Sequence, residues 1–269
     1  MIRRAVLVLL GLVWIGPTYL LLVNAARPAG SYDPGSAWVP SGDFALFENF
    51  GRALEGADLT QSLASTALYS AVSPLLGVLV GALAGYTIVV LRLKYGFWWF
   101  LLIFGGTIFP SQMLLVPLFV GYSDAGLYDS RLGMILIYTA INVPLAAFVL
   151  RNFYSGVAFS IFEAARMDGA STWRIFWRIY LPISASALTA VFILEFTFIW
   201  NDLIFGLTLT QTEEVRPVMT AIAGLMTDVY AGTPVPVGLA AGLVVSLPTV
   251  VLFLATQRLF ARGLSLGSF

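Results

Sequence analysis

Six long apolar runs constrain this chain more than any other feature of its sequence. They cover about residues 5–23, 63–91, 97–120, 132–150, 182–209 and 237–260. An α-helix needs roughly 20 apolar residues to cross the hydrocarbon core of a bilayer. Only 10% of the 269 residues are charged, whereas soluble domains carry about 25%, so the chain could not cover a water-facing surface. The sequence therefore predicts an all-α membrane protein with six transmembrane helices, folded as a single domain over residues 1–269.

The basic residues predict on which side of the membrane each connection lies. With the N-terminus inside, ten Lys and Arg residues fall in inner segments and four in outer ones. The inner set is Arg3, Arg4, Arg92, Lys94, Arg151, Arg166, Arg174, Arg178, Arg258 and Arg262, and the outer set is Arg27, Arg52, Arg131 and Arg216. Inner loops are enriched in Lys and Arg, so we expect both termini in the cytoplasm. The first run is longer than the ~7–15-residue core of a secretory signal, and we expect it to remain as a span.

The second apolar run carries small residues at a helical spacing. Gly77, Gly81 and Gly85 recur at every fourth position, so they lie on one face of a helix. Small residues on one face allow helices to approach closely in lipid. We therefore expect this face to contact a neighbouring span.

The longest inner connection, residues 151–181, contains a short polar island. A Glu-Ala-Ala triplet occupies positions 163–165, a glycine follows six residues after the glutamate, and Leu181-Pro182 stands at the entry of the next run. Alanine favours helix, and Asp168 or Ser171 could cap the N-terminus of a following helix, so a helix break near Gly169 is predicted. The stretch 173–179 alternates aromatic and basic residues, which is typical of a helix that lies along a membrane surface.

This pattern resembles the EAA loop of ABC importer permeases. Other stretches are similar to the carbohydrate branch of that family, the maltose/glycerol-phosphate type, and specifically to the second permease of its pair. These stretches are Asn142-Val143-Pro144, Phe198-Ile199-Trp200-Asn201-Asp202, Pro110-Ser111-Gln112-Met113, and the ending Gln257-Arg258 with Arg262-Gly263-Leu264. Together they cover roughly residues 60–264. The triplet follows Phe162, where family members often carry another acidic residue.

The resemblance implies a fold of six transmembrane helices with a cytoplasmic EAA coupling helix in the loop 151–181. That helix would dock into a separate ATPase subunit. The docking residues it implies are Glu163, Ala164, Ala165, Arg166, Asp168, Gly169 and Ala170. The implied partners are a homologous permease, two ATP-binding cassette subunits, an extracytoplasmic solute-binding protein and a sugar-like substrate. The implied location is a bacterial-type inner membrane, where the chain also contacts lipid.

The sequence excludes several kinds of chemistry for the chain itself. A phosphate-binding P-loop needs a Gly-x-x-x-x-Gly-Lys-Ser/Thr pattern, and the only lysine, Lys94, lies outside any such pattern. The chain has no Cys and no His, which are the ligands and bases most used at metal and acid–base sites. We therefore expect no enzyme activity, no cofactor and no metal site, and the charge pattern gives no indication of nucleic-acid binding.

Polar residues inside the apolar runs are candidates for the substrate path. The candidate residues are Glu195, Trp200, Asn201, Asp202, Asn142, Gln112 and Tyr138. A carboxyl group in hydrocarbon is costly unless it faces a cavity or a partner, so Glu195 either lines the path or makes a bond between helices. Structural roles are favoured for Asp202, Gln112 and Asn142, the last two by satisfying carbonyls that a nearby proline frees.

Two other classes of function remain open at this point. Glu195 and Asp202 could serve an ion-coupled secondary transporter or a channel. They could also form the carboxylate pair of a membrane-embedded enzyme, although seven residues of helix place them about 10 Å apart, which is far for one catalytic centre. The sequence leaves the identity of the sugar open, together with direct contact between substrate and this chain and the reach of its C-terminus to the ATPase.

Overall fold

The computed structural model describes residues 2–56, 58–108, 110–229 and 234–265, and the regular structure in these ranges is helical. The predicted all-α class is therefore confirmed. A 3-10 turn spans Pro34–Ser36, and a π-helical stretch spans Phe176–Tyr180. The α-helices are α1 (Ile2–Ala25), α2 (Leu46–Gly56), α3 (Leu59–Val89), α4 (Gly96–Gly105), α5 (Ser111–Asp124), α6 (Arg131–Ser155), α7 (Ser160–Met167), α8 (Thr172–Ile175), α9 (Leu181–Ile183), α10 (Ala185–Trp200), α11 (Ile204–Leu209), α12 (Val218–Val229) and α13 (Val235–Ser265).

Four of these helices are long and apolar enough to cross a bilayer. They are α1, α3, α6 and α13, with apolar portions of 20, 31, 25 and 23 residues. A fifth candidate is the pair Thr172–Ile183 and Ala185–Trp200, whose two parts meet at an angle of 74°. The described residues therefore form a multi-pass membrane protein with four to five apolar spans.

The predicted third span, 97–120, is two shorter helices rather than one. Helix α4 has 10 residues, and α5 has 14 residues and begins directly after Pro110. Pro110 has φ −56° and ψ 127°, a conformation outside the helical region. Since proline also lacks an N–H group, it starts a helix more readily than it continues one. Pro117, in contrast, lies inside α5 without breaking it.

The predicted fifth span, 182–209, also differs from the observed helix. Helix α10 begins at Ala185 and ends at Trp200, nine residues before the expected end. The chain then turns, because the Asp202 carboxylate accepts the Gly206 N–H at 3.2 Å and so supports the start of α11. This local bond between a side chain and the backbone competes with continuation of α10.

Helices α3 and α6 form the centre of the bundle, where the three spaced glycines allow close contact. A methyl group added at Gly81 would lie 2.6 Å from the Ala147 nitrogen, and one at Gly85 would lie 2.8 Å from the Arg151 nitrogen. At Gly77 it would lie 2.9 Å from the Asn142 Cβ. These distances are shorter than real Cβ contacts, so the predicted close helix contact at the small residues is confirmed.

Candidate functional site

Helix α7 carries the Glu-Ala-Ala triplet, and only one side of this helix faces the protein. Ala165 is buried against the cluster that includes Leu150, Ile175 and Phe176. The remaining triplet residues, Glu163 and Ala164, are exposed. Arg166 and Asp168 are exposed as well, and Met167 keeps 88% of its surface accessible. The helix therefore presents a free face outward, while Ala165 and the partly buried Phe162 pack inward against the cluster.

The glycine of the pattern closes α7 by its backbone conformation. Gly169 has φ +77°, which L-residues with a side chain rarely adopt. Its N–H donates to the Arg166 carbonyl at 3.0 Å, and the Ala170 N–H donates to the Ala165 carbonyl at 3.0 Å. These two bonds are the Schellman motif, in which a left-handed residue satisfies the last carbonyls of a helix. The glycine six residues after Glu163 therefore marks the position at which α7 ends.

The helix that follows α7 begins as predicted at one of the two candidate caps. The Ser171 side chain accepts the Arg174 N–H at 3.3 Å and so caps α8. Asp168 stands instead at the C-cap of α7, where its N–H donates to the Ala164 carbonyl at 3.0 Å. The predicted break therefore lies between these two residues.

Aromatic side chains connect this loop to the ends of α3 and α6. The Tyr86 hydroxyl donates to the Thr172 carbonyl at 2.9 Å, and its ring lies 5.2 Å from Phe176 and 5.1 Å from Tyr180. Tyr154 of α6 lies 5.6 Å from Tyr180, centroid to centroid. A packed set of rings therefore joins this loop to the central helices.

Glu195 lies at the junction of α3, α6 and α10, away from any exposed surface. Its side chain keeps only 2% of its accessible area, and neither carboxyl oxygen has a hydrogen-bond partner among the described residues. It faces Gly77, whose neighbour on the other helix is Asn142. The Asn142 Nδ2 is also buried and unpartnered, so its expected bond to a carbonyl freed by Pro144 is not formed.

The other predicted path residues near the end of α10 are bonded within the protein. The Tyr138 hydroxyl donates to the Asp202 carboxylate at 2.9 Å, and the Trp200 Nε1 donates to the Val245 carbonyl at 2.9 Å. The Asn201 Nδ2 donates to the Thr197 carbonyl at 2.8 Å. Tyr138 and Trp200 are both buried. Their rings therefore pack within the bundle in this conformation.

A cleft of about 760 Å³ lies where α4 and α5 separate, against α6, α10 and α11. Gln112 lies in it, together with Thr107 and Ser111. Aromatic side chains from the far wall, Phe198 and Phe205, face the same space. Of the predicted path residues only Gln112 lines this cleft, and the two hydroxyl residues Thr107 and Ser111 were not among those predicted. The break at Pro110 is the feature that could have indicated them, because a split helix exposes polar groups.

Comparison with known proteins gives a family and several relatives. Residues 77–266 match the family described as "Binding-protein-dependent transport system inner membrane component". The chain is 34% identical over 253 residues to the melibiose/raffinose/stachyose import permease protein MelC of Bacillus subtilis, with 94% of this chain and 90% of that protein covered. It is 31% identical over 257 residues to the trehalose transport system permease protein SugB of Mycobacterium tuberculosis, with 94% and 91% covered.

A solved structure shares the fold. One chain in the crystal structure of a bacterial ABC transporter involved in the import of the acidic polysaccharide alginate has a TM-score of 0.73 to this chain. The match covers 96% of this chain and 94% of that one at 21% sequence identity. The arrangement of helices is therefore that of a known transporter chain.

Proposed function

The chain belongs to the family of binding-protein-dependent transport system inner membrane components, and from this premise we propose that it is the permease subunit of an importer for a sugar or sugar derivative. ATP hydrolysis would take place in two separate ATP-binding cassette subunits, while a solute-binding protein would deliver the substrate at the outer face. A homologous permease would complete the membrane path. The names of MelC and SugB describe permease proteins for sugars, which supports this substrate class.

The exposed face of α7 is the observation that carries the proposal. We place Glu163, Ala164, Arg166 and Asp168 against an ATPase subunit, with Ala165, Gly169 and Ala170 holding the shape of the helix. In isolation a large exposed side chain such as Met167 has no structural purpose, and exposed apolar groups mark interaction sites. Closure of the ATPase dimer would push α7, and the ring cluster around Tyr86 would pass the movement to α3 and α6 as a rigid-body motion.

The proposed topology has six crossings with both termini in the cytoplasm. The third crossing would be made by α4 and α5 together, and the fifth by α10 with its flanking pieces. The excess of basic residues in the inner segments supports this orientation, and it puts α7 on the cytoplasmic side, where ATP is available. The cleft at Pro110 then faces the middle of the membrane.

We place the sugar path along this cleft. Thr107, Ser111 and Gln112 offer groups that bond to sugar hydroxyls, and Phe198 offers an aromatic face for the apolar side of a sugar ring. Apolar walls with a few polar groups are typical of small-molecule sites. Glu195, Asn142, Tyr138, Trp200, Asn201 and Asp202 would stand behind this wall and set its shape. The partner permease would form the opposite wall.

Replacement of Gly169 by alanine tests the docking role with a matched control in the same loop. Alanine at φ +77° costs about 1–2 kcal/mol, so G169A should loosen the end of α7 and lower sugar uptake severalfold. Gly156 has φ −86° and ψ −8°, a conformation that alanine adopts, so G156A should transport normally. The measurements are initial uptake in cells and co-purification of the ATPase subunit in detergent.

Replacement of Glu163 by lysine tests the outward face directly. Glu163 is exposed, so E163K should insert into the membrane and fold normally, yet lose the ATPase subunit on purification and abolish uptake. Full uptake by both E163K and G169A would contradict docking at α7. Uptake that continues without any ATPase would favour an ion-coupled carrier instead.

A further inference from the structure

An apolar crevice opens beside the coupling loop, in the elbow between its helical end and α10. The crevice has a volume of about 410 Å³ and is lined by Leu75 and Leu79 of α3, by Trp177 and Leu181 of the loop, and by Leu188 and Phe192 of α10. The one hydroxyl that lines it, that of Thr189, already donates to the Ala185 carbonyl at 2.7 Å. The lining is therefore mostly apolar, which favours an apolar ligand over a hydrophilic one.

The shape of the crevice follows from the 74° bend between Thr172–Ile183 and α10. One arm of the bend lies along the loop, and the other arm runs into the bundle. Leu188 and Phe192 lie about one and two turns inside α10, so the crevice extends roughly 10 Å along that helix. It therefore runs from the membrane surface toward the bilayer interior, the direction that an acyl chain takes.

The loop arm carries two basic residues close in sequence to Trp177, which lines the crevice. Arg174 and Arg178 are both exposed, one helical turn apart, on either side of Trp177 in the sequence. Across the described residues neither guanidinium has an ion pair or a hydrogen-bond acceptor, and residues 169–194 contain no Asp or Glu. Trp177 keeps 39% of its surface exposed, as expected of an indole at a membrane interface. Two free cations beside an interfacial tryptophan suit a phosphate headgroup.

We propose that this crevice is a binding site for one anionic phospholipid of the inner leaflet. An acyl chain would occupy the space between Leu79, Leu188 and Phe192, and the headgroup phosphate would pair with Arg174 and Arg178. Leu75 is 62% exposed at the edge of the crevice and would contact the same acyl chain. The lipid would thus bridge α3, α10 and the loop that carries α7. This inference rests on the proposed orientation, which puts the loop at the cytoplasmic surface.

Lipid retention by the assembled complex tests the proposal without reference to transport. The complex is purified in mild detergent and titrated with phosphatidylglycerol or phosphatidylcholine of equal chain length, and bound lipid is counted by native mass spectrometry. Wild type should retain phosphatidylglycerol more tightly. The double variant R174Q/R178Q should bind phosphatidylglycerol roughly thirtyfold more weakly, because each arginine contributes about 1 kcal/mol of attraction to an anionic headgroup and about 1.4 kcal/mol is a tenfold change in affinity. Its binding of phosphatidylcholine should be unchanged. R52Q, which alters an exposed arginine in the outer segment before α3, should match wild type.

Two outcomes would overturn the site. Equal retention of the two lipids by wild type does so without any variant, which keeps the test decisive if R174Q/R178Q assembles poorly. The other is a crevice covered by the partner permease. Because the chain has no native cysteine, the cysteine introduced by L75C would be the only one of this chain available for cross-linking. A cross-linked product with the partner permease would exclude lipid from the crevice. Labelling of M167C from the cytoplasmic side checks the orientation separately, so failure of the orientation is distinguished from failure of the lipid site.

Discussion

Glu195 is buried and Asp202 is half-buried near the same end of α10, and the two carboxyl groups have different surroundings. Asp202 lies two residues beyond the helix and accepts hydrogen bonds from the Tyr138 hydroxyl and the Gly206 N–H. Glu195 lies inside the helix at the contact with α3, and both of its oxygens are without a partner among the described residues. The two residues therefore share a chemical group, but the half-buried carboxylate has partners and the buried one has none among the described residues.

This difference indicates that the Asp202 carboxyl group has a structural role, whereas the Glu195 carboxyl group does not stabilise the fold. Asp202 ends α10 and begins α11, so its cost of burial is offset by the bonds that shape the chain. Glu195 makes no such bond, and an unpartnered polar group in a bundle core lowers stability. We therefore hypothesise that Glu195 has a role in function. If α3, α6 and α10 shift during transport, the nearby unpartnered amide of Asn142 is the group that Glu195 would contact.

Removal of the Asp202 side chain should have the largest effect of the changes considered. In D202A the buried Tyr138 hydroxyl and the Gly206 N–H both lose their acceptor, which costs about 3 kcal/mol in the free energy of unfolding. We expect a lower thermal midpoint for the purified complex in detergent, together with a lower yield of folded protein. The midpoint can be followed by intrinsic fluorescence during heating.

The variant Y138F grades this effect. It removes one donor and leaves Asp202 with the Gly206 N–H, so the expected loss is about 1 kcal/mol. If D202A and Y138F both melt at the wild-type temperature, Asp202 does not hold the end of α10 and the comparison with Glu195 loses its basis.

Replacement of Glu195 by leucine should change stability in the opposite direction. Leucine has a similar size and no polar atoms, so E195L removes two unpartnered oxygens and should raise the free energy of unfolding by about 2 kcal/mol. The same heating experiment measures this change, and sugar uptake is measured in parallel. A more stable complex that no longer transports would assign Glu195 to the transport cycle.

Glutamine at position 195 is the matched control for this change. E195Q keeps the shape and the hydrogen-bonding capacity but cannot ionise, so its stability should lie near that of wild type. A drop in stability for E195L would show that Glu195 has a stabilising partner and that the contrast with Asp202 is wrong.

The sequence predicted the parts of this fold that depend on local patterns. The long runs became α3 and α6, the glycine spacing of 77, 81 and 85 became a close helix contact, and Ser171 became a helix cap. Each of these depends on residues within a few turns of one another. The helical class followed for the same reason, because every run has the length and composition of an apolar helix.

The parts that the sequence could not predict depend on contacts between distant residues. Tyr138 and Asp202 are separated by 64 positions, and no local signal joins them, so the early end of α10 was missed. The lack of partners around Glu195 could not be predicted from the sequence either, since it depends on which faces of α3 and α6 turn toward α10. The cleft at Pro110 was partly indicated by Gln112, but its walls come from three further helices.

A third carboxylate, Asp129, sharpens the comparison because it has partners without deep burial. It lies in the connection before α6 and accepts the Gln211 N–H at 2.8 Å, the Thr212 N–H at 3.0 Å and the Thr212 hydroxyl at 3.2 Å. Partial burial raises the pKa of Asp129, but these bonds outweigh that effect and hold the pKa below its ordinary value. The stabilisation is therefore present above the unfolded pKa of about 3.9 and is lost as the pH falls through the lower folded value.

D129N should consequently have a smaller effect on stability than D202A or E195L. An asparagine oxygen still accepts a bond but carries no charge, and solvent weakens the remaining difference, so we expect a loss below about 1 kcal/mol at pH 7. The readout is hydrogen exchange of the Gln211 and Thr212 amides, which should exchange up to about fivefold faster in D129N than in wild type. This difference between D129N and wild type should become smaller as the pH is lowered to about 3. Asp124, an exposed neighbour whose side chain makes no hydrogen bond among the described residues, provides the control D124N. If D129N lowered stability as much as D202A, partners alone would account for the contribution of a carboxylate, and the burial of those partners would not distinguish Asp202 from Asp129.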